Sequence, residues 1–260
     1  MNLEINSKYA LVCGSTAGIG KATAIALAEE GVQVTLLARN EEKLKMTLNE
    51  LPKHRKHDYI VADFSNPADV QEKIQAYLKS DHGFHILVNN TGGPAGGPIF
   101  TAKIEEFEQA FTQHLKCNHI LVQAVVPFMK SENYGRIVNV ISTSVKQPLD
   151  GLGVSNTIRG AVANWSKTMA NELGQFGITV NNVLPGATGT ERLTEIIKNK
   201  SRKTGKTEEE AANTMKNTVP VKRFAEPEEL ADAITFLASA RAAYINGINL
   251  PVDGGRTKSL

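Results

Sequence analysis

Short runs of apolar residues recur along the chain, separated by longer stretches in which apolar residues return at helical spacing. The runs are nearly unbroken and rich in Val, Ile and Leu, a pattern typical of parallel strands that helices cover on both faces. The predicted strands are 9–12, 32–38, 59–62, 86–88, 137–141, 178–184 and 248–250. We therefore expect one sheet of about seven strands.

The stretches between these runs carry helix signals. Leu44 and Leu48 recur at helical spacing after Asn40, a residue suited to capping a helix, and Asn66 followed by Pro67 is a second start signal. Further helices are predicted at 22–30, 104–130, 154–176 and 227–239. Long helical crossovers join parallel strands. The pattern predicts an α/β, Rossmann-type, doubly wound parallel sheet in a single domain over residues 1–260.

The segment 188–220 departs from this pattern. It carries many Lys and Glu residues, and its periodicity is weak apart from Leu193, Ile196 and Ile197. We predict that it forms a mobile lid.

A glycine-rich stretch follows the first predicted strand and precedes the first predicted helix. Gly14, Gly18 and Gly20 lack a Cβ atom, so the backbone there can turn tightly and approach a pyrophosphate. The free amides and the dipole of the following helix favour an anion. The stretch predicts a nucleotide site, although three glycines alone also suit a loop that only closes a turn.

Candidate ligand-binding residues stand at the ends of four successive predicted strands, at Gly14, Arg39, Asp63 and Asn90. Ligands of open parallel sheets bind beyond the carboxyl ends of the strands. Because four strand ends converge there, we favour the nucleotide site over the loop that only closes a turn.

Composition and charge narrow the range of partners. The 29 basic and 27 acidic residues are spread along the chain and give a net charge of +2, so nothing predicts a surface for nucleic acid or an anionic membrane. The most apolar window, 120–129, is too short for a membrane span, and we expect no secretory signal in 1–7. Cys13 and Cys117 lack metal-ligand spacing, so we expect a cytoplasmic protein without a disulfide or zinc framework.

Several motifs occur in one order along the chain. They are Gly14-Ser15-Thr16-Ala17-Gly18-Ile19-Gly20, Asp63-Phe64, Asn89-Asn90-Thr91-Gly92, Pro185-Gly186, Thr190 and Asp253-Gly254-Gly255. In this order they resemble the short-chain dehydrogenase/reductase family, most closely its β-ketoacyl-carrier-protein-reductase-like branch, over roughly residues 5–255.

The resemblance implies that these motifs bind a nicotinamide cofactor. The loop residues Gly14, Ser15, Thr16, Gly18, Ile19 and Gly20 would hold it, although Cys13 stands where Thr is usual. Asp63, with Phe64, would contact the adenine. Asn90, Thr91 and Gly92 match a sheet motif that usually has Ala in place of Thr91. Pro185 and Gly186 would cover the nicotinamide, and Thr190 would contact its carboxamide.

The resemblance also implies partners. The substrate would be a small-molecule carbonyl or alcohol, including an acyl thioester, and the C-terminal segment would pack in a homotetramer or a dimer.

The end of the second predicted strand bears on the choice of cofactor. An acidic side chain there would bind the ribose of NAD and repel the phosphate of NADP, but the chain has Arg39 and Asn40. A guanidinium can hold a 2′-phosphate bidentately, assisted by the Ser15 or Thr16 hydroxyl. We therefore favour NADP(H) over NAD. An Arg39 that is simply solvated is the alternative.

The predicted proton-transfer site departs from the resembled family. Counting from Ser142 puts Ser155 at the Tyr position and Arg159 at the Lys position, and the Asn position is His114. The reaction needs an acid for the developing alkoxide, and a serine hydroxyl is far weaker than a phenol. We expect Arg159 to keep a pKa above about 12, and His114 to titrate near neutrality unless it is a packed helix residue.

Three hypotheses for function follow. The chain is an NADP-dependent reductase whose proton comes from water ordered by Ser142 and Ser155, or from His114. It binds NADP(H) without turnover, as a sensor or an inactive partner subunit. It runs a non-redox reaction in the same pocket. The substrate is not predicted by the sequence.

Overall fold

Seven strands are present in the computed structural model, which describes residues 1–79 and 83–259. They are β1 (Tyr9–Cys13), β2 (Gln33–Ala38), β3 (Asp58–Val61), β4 (Ile86–Asn89), β5 (Gly135–Val140), β6 (Ile178–Pro185) and β7 (Asn249–Val252). They form one sheet in the order β3-β2-β1-β4-β5-β6-β7, and every neighbouring pair is parallel. The strand order reverses between β1 and β4, where doubly wound sheets bind their ligands. The predicted fold class is confirmed.

Nine α-helices occur in the described part of the chain. They are α1 (Gly18–Glu29), α2 (Glu41–Glu50), α3 (Pro67–Leu78), α4 (Ile104–Phe111), α5 (Cys117–Ser131), α6 (Gly153–Leu173), α7 (Glu191–Thr204), α8 (Glu208–Asn217) and α9 (Pro227–Leu237). The predicted caps are present, because the Asn40 and Asn66 side chains accept hydrogen bonds from the backbone N–H groups of Lys43 and Asp69.

One segment and one predicted helix differ from expectation. The segment 188–220, for which we predicted no helix, contains α7 and α8; the buried residues of these two helices are Leu193 and Ala211, which is why its periodicity is weak. That this segment forms a mobile lid stays a prediction. The predicted helix 104–130 is interrupted by a π-helical turn over Thr112–Lys116, between α4 and α5. Single π-helical turns inside helices often mark functional positions.

Two apolar layers flank the sheet. Val12 and Val88 face α1 and α9 on one side, in a cluster with Leu27 and Ile234. Leu11, one residue from Val12, belongs to the other cluster, which joins the sheet to α3, α5 and α6. This alternation follows from the two-residue period of a strand and explains why strands covered on both faces are apolar throughout.

A row of asparagines crosses the second of these layers. Asn89, Asn139, Asn182 and Asn249 are register partners on the adjacent strands β4 to β7. Each side-chain amide donates to the next residue in the row, over 2.8, 3.0 and 2.8 Å. Asn139 also donates to Ser166 Oγ of α6, so the row ties the sheet to the helix that carries Ser155 and Arg159.

No helix in the described ranges is both long enough and apolar enough to cross a membrane.

Candidate functional site

The glycine loop is held between the ends of three strands. The Gly14 N–H donates to the carbonyl of Leu37 at the end of β2, over 2.8 Å. The side-chain amide of Asn90, which follows β4, donates to the carbonyls of Cys13 and Gly14, each over 3.3 Å. The structure therefore brings together the predicted residues of β1, β2 and β4. We call the region formed by residues 14–20, 38–40, 63–64 and 90–92 the cofactor half of the site.

Backbone geometry explains why the loop needs glycine. Gly14 has a φ of +58°, and a Cβ atom there would lie 2.6 Å from the Asn90 carbonyl oxygen. A Cβ atom at Gly20 would collide with the Gly14 carbonyl oxygen. A Cβ atom at Gly18 would lie 2.9 Å from Thr190 Cγ2, so Thr190 stands directly over the loop.

The first turn of α1 is open to an anion. Ala17 at its N-cap has no side-chain cap, and no acidic residue lies in the first turn. The N–H groups of this turn therefore have no side-chain acceptor, and no carboxylate of the first turn neutralises the positive end of the helix dipole. Ile19 is half-buried in the same turn, where its carbonyl accepts from the Thr23 hydroxyl.

Ser15 and Thr16 differ in exposure. Ser15 is fully buried, and its hydroxyl lies 3.5 Å from the carbonyl of Leu37. Thr16 is partly exposed. Of the two hydroxyls predicted to assist Arg39, the one open to a ligand is that of Thr16.

Arg39 lies exposed at the end of β2, and no described residue forms a hydrogen bond or ion pair with it. The neighbouring Asn40 uses its side chain to cap α2. At the end of β3, the Asp63 carboxylate accepts from the Ser65 N–H over 2.9 Å, and the Phe64 carbonyl accepts from the Cys117 thiol over 3.3 Å. The free guanidinium is therefore the group of this region that is ready for a phosphate.

We call the region formed by Ser142, Ser155, Arg159 and His114 the reaction half of the site. Ser142 follows β5, and its hydroxyl accepts from the Ser144 N–H over 3.1 Å. Ser155 and Arg159 lie one turn apart in α6, so they share a helix face. Ser142 and Ser155 are both partly buried.

Arg159 is a buried cation. Only 7% of the residue is exposed, and its Nη1 donates to the carbonyl of Val140 over 3.0 Å, while its Nε has no partner among the described residues. Burial, with a smaller effect from the charge of Arg192, lowers the pKa of Arg159 to about 10. The expected pKa above 12 is thus corrected, but Arg159 remains a cation at neutral pH.

His114 lies in the π-helical turn and is 1% exposed. Its Nδ1 is hydrogen-bonded to the hydroxyl of Thr91, whereas its Nε2 has no partner among the described residues. Burial, and secondarily the charge of Arg159, lowers the pKa of His114 to about 2. Of the two alternatives that the sequence left open for His114, the structure supports the packed helix residue and not the imidazole that titrates near neutrality, because the sequence does not reveal how deeply the ring is buried.

The α7 helix closes over both halves. Thr190 caps it, accepting from the Leu193 N–H over 3.4 Å, and Gly186 after β6 donates to the Val252 carbonyl over 2.9 Å. Arg192 Nη2 donates to the carbonyl of Pro94, in the segment after β4, over 2.8 Å. Sequence reasoning missed Arg192, whose only signal is a basic residue two positions after the predicted contact Thr190.

Comparison with known proteins places this geometry in a family. Residues 14–257 match a family model described as enoyl-(acyl carrier protein) reductase. The 3-oxoacyl-(acyl-carrier-protein) reductase FabG of Vibrio cholerae serotype O1 is 34% identical, over 98% of this chain and 98% of its own length. The chain belongs to the short-chain dehydrogenase/reductase family.

Two further members of the short-chain dehydrogenase/reductase family are similar over nearly their full length. The NADPH-dependent reductase BacG of Bacillus subtilis (strain 168) is 29% identical, over 98% of this chain and 100% of its own. The crystal structure of L-sorbose reductase from Gluconobacter frateurii, complexed with NADPH and L-sorbose, is 31% identical with a TM-score of 0.94, and each chain is covered to 100%.

Two predicted departures from the short-chain dehydrogenase/reductase pattern contact each other. Thr91 stands where the resembled motif has Ala, and His114 stands where it has Asn, and the two side chains share a hydrogen bond. The five tyrosines of the chain lie elsewhere. Tyr9 and Tyr134 pack around His85, Tyr59 binds Glu41, Tyr77 binds Thr35, and Tyr244 is fully exposed.

Proposed function

We propose that the chain is an NADP(H)-dependent oxidoreductase that interconverts a small-molecule ketone and its alcohol, with activity resembling that of 3-oxoacyl-(acyl-carrier-protein) reductase. Support comes from BacG, which is an NADPH-dependent reductase, and from L-sorbose reductase, whose structure contains NADPH.

The cofactor half of the site fits NADP(H). Gly14 and Gly20 let the loop fold closely against Asn90 and against itself, next to the uncapped start of α1, whose N–H groups suit a pyrophosphate. Arg39, which has no partner among the described residues, suits the 2′-phosphate that distinguishes NADP(H) from NAD. This free guanidinium beside a glycine cradle is the observation that carries the proposal. When bound, NADPH supplies the hydride for the carbonyl carbon.

The reaction half would then stabilise the alkoxide. We propose that the Ser142 and Ser155 hydroxyls hydrogen-bond the substrate oxygen and order the water that provides its proton. Arg159, fixed by the Val140 carbonyl, contributes a positive charge close to the developing negative charge. In this proposal Ser155 and Arg159 stand in for the Tyr and Lys of the resembled pattern, so the proton donor is atypical.

His114 has a narrower role in this proposal. With a pKa of about 2 it is a neutral imidazole at physiological pH and cannot act as an imidazolium acid. A neutral imidazole can still relay a proton, by releasing one from Nε2 while Nδ1 takes one from the Thr91 hydroxyl, which takes its replacement from solvent at its partly exposed position. The contact between Thr91 and His114 supports this relay as the second route.

A cofactor-binding protein without turnover is the second candidate. The observation in its favour is that the pKa values of His114 and Arg159, about 2 and about 10, both lie far from neutrality. Neither of these groups has the matched acidity that general acid catalysis favours.

Two measurements test the proposal. The first is a titration of the protein with NADPH, followed by nicotinamide fluorescence. The second is ketone-dependent NADPH oxidation across a panel of oxo acids, esters and β-ketoacyl thioesters. We expect binding and turnover, with turnover reduced in Ser142→Ala and NADPH affinity unchanged in that variant. Binding without oxidation across the panel would favour the second candidate. Absence of binding would overturn both.

We also propose a single-domain, cytoplasmic protein that assembles as a homotetramer or dimer. The continuous seven-stranded sheet and the likeness over nearly the full length of the relatives support the single domain. Sedimentation equilibrium measures the assembly directly, and a monomer at micromolar concentration would contradict this part of the proposal.

A further inference from the structure

Arg159 carries a buried charge that no described carboxylate balances. It is more than nine-tenths buried, its one hydrogen bond given by the structure goes to a neutral carbonyl, and its Nε has no partner. Transfer of a cation from water into a protein is costly unless an opposite charge or several hydrogen bonds compensate for it. The charge therefore implies a compensating anion that the described residues do not provide.

Arg192 adds a second cation on the same side of the site. It lies in the first turn of α7, reaches the Pro94 carbonyl over 2.8 Å, and is close enough to Arg159 to lower the pKa of that residue. Its acidic neighbour is Glu195, 3.6 Å from Nη1, whose side chain is 66% exposed. A solvated carboxylate at that distance screens only part of the charge. Two guanidinium groups thus repel each other across the reaction half.

The position of Arg192 is defined by contacts at both ends of its segment. Thr190, two residues earlier, packs over Gly18 of the glycine loop. At the other end, Arg192 Nη2 binds Pro94 and lies 3.9 Å from where a Cβ atom of Gly93 would be. The guanidinium is therefore fixed on the segment after β4, two residues from the Thr190 that packs over the cofactor loop.

We infer that the substrate of this site carries a carboxylate, and that Arg192 binds it while the charge of Arg159 strengthens the interaction. The substrate class is then an oxo acid, reduced to the corresponding hydroxy acid. A carboxylate suits Arg192 because its two oxygens match the fork of a guanidinium. This inference rests on the proposed function, since it names the substrate class of the same site.

The test compares substrates that differ in the charge of one group and by one methyl group. Each of a set of α-oxo and β-oxo acids is assayed beside its methyl ester, with NADPH, on the wild-type protein and on Arg192→Gln. We expect the acids to have kcat/KM values at least about ten-fold above those of their esters, the gain expected from one charge-assisted contact. In Arg192→Gln the KM of the acids rises about ten-fold with little change in kcat, and the esters are unaffected.

Arg202→Gln is the matched control. Arg202 is an exposed arginine of the same helix, with no hydrogen bond or ion pair to the described residues. It should leave acids and esters unchanged. Equal kcat/KM for acids and esters, or an Arg192→Gln effect of the same size on both, would overturn the inference.

A binding measurement separates this inference from the proposed function. The protein with NADP⁺ is titrated with the same oxo acids by calorimetry, which requires no turnover. Binding that Arg192→Gln weakens, in a protein that oxidises no NADPH, would support the carboxylate site and refute the reductase. Turnover of neutral ketones without any binding of oxo acids would support the reductase and refute the carboxylate site.

Discussion

The two halves of the site differ in whether their polar groups are hydrogen-bonded. In the cofactor half, the loop residues are tied to neighbouring strands: Gly14 binds Leu37, and Asn90 binds Cys13 and Gly14. In the reaction half, Arg159 Nε and His114 Nε2 are buried without partners among the described residues. Unpaired buried polar atoms are rare in folded proteins and need an explanation. The loop of the first half is tied by hydrogen bonds to its neighbours, whereas the second half keeps two buried nitrogens unpaired.

The Gly20→Ala variant would break the cradle and has the largest expected effect. Because the new methyl group would collide with the Gly14 carbonyl oxygen, the loop must change shape. We expect NADPH affinity to fall by roughly 1000-fold, or about 4 kcal/mol, measured by fluorescence titration. Gly160→Ala is the matched control, since a Cβ atom at that helical glycine meets nothing within 4 Å. Equal affinity in the two variants would contradict the account of the cradle.

The second-largest expected effect is a loss of stability when the asparagine row beneath the reaction half is interrupted. Asn139→Leu leaves the Asn89 amide without an acceptor and the Asn182 carbonyl without a donor. Each unpaired buried group costs about 1–3 kcal/mol, so we expect the free energy of unfolding in urea to fall by about 3 kcal/mol. Asn199→Leu, the same change at an exposed position of α7, should stay within about 0.5 kcal/mol of the wild type. A loss in Asn139→Leu as small as that would show that the row adds little.

Acid should destabilise the protein before its carboxylates are protonated. Burial lowers the pKa of His114 to about 2 and that of His85 to about 4, against 6.5 for an unperturbed histidine. Below pH 6.5 the unfolded chain therefore binds more protons than the folded protein. The stability that comes from keeping these histidines neutral is complete above pH 6.5, and it is lost as the pH falls from 6.5 toward each folded pKa. At pH 5 the expected loss is at most about 2 kcal/mol for each histidine.

Urea unfolding at pH 7.5 and pH 5 measures this loss. His114→Asn should remove the share of His114, whereas His54→Asn, at an exposed position, should leave the loss unchanged. An identical pH dependence in His114→Asn and the wild type would contradict the buried, neutral state of His114.

The smallest expected effect concerns the preference for NADPH over NADH. Arg39→Ala removes the free guanidinium at the end of β2, so NADPH should bind about ten-fold more weakly while NADH affinity stays the same. Competition titrations with the two cofactors measure the ratio. Arg202→Ala serves as the control for loss of a surface cation. A parallel decrease for both cofactors would place Arg39 away from the 2′-phosphate.

The cofactor half and the reaction half also differ in how much of each could be predicted from the sequence. The strands, the caps at Asn40 and Asn66 and the glycine loop were predictable, because short-range signals determine them. The helices α7 and α8 were not recognised, although the Thr207 and Glu210 capping box and the positive φ of Gly205 mark their boundaries. Their outward faces are polar, so the hydrophobic period is faint.

The electrostatics of the reaction half depend on contacts between distant segments. The pKa of His114 follows from burial and from Arg159, 45 residues away in the sequence, and Arg192 meets Pro94 across 98 residues. The asparagine row had a weak signal, since an asparagine recurs in four apolar strands, but only strand register shows that the side chains meet.

Transfer of deuterium from labelled NADPH to product tests the central claim that the reaction half supports hydride transfer. NADPH that carries deuterium at the transferred position is incubated with the protein and the oxo acids, and the hydroxy acids are analysed by mass spectrometry. We predict deuterium on the carbinol carbon of the product, in an amount that depends on Ser142. Bound NADPH with no deuterated product from any substrate would contradict the account.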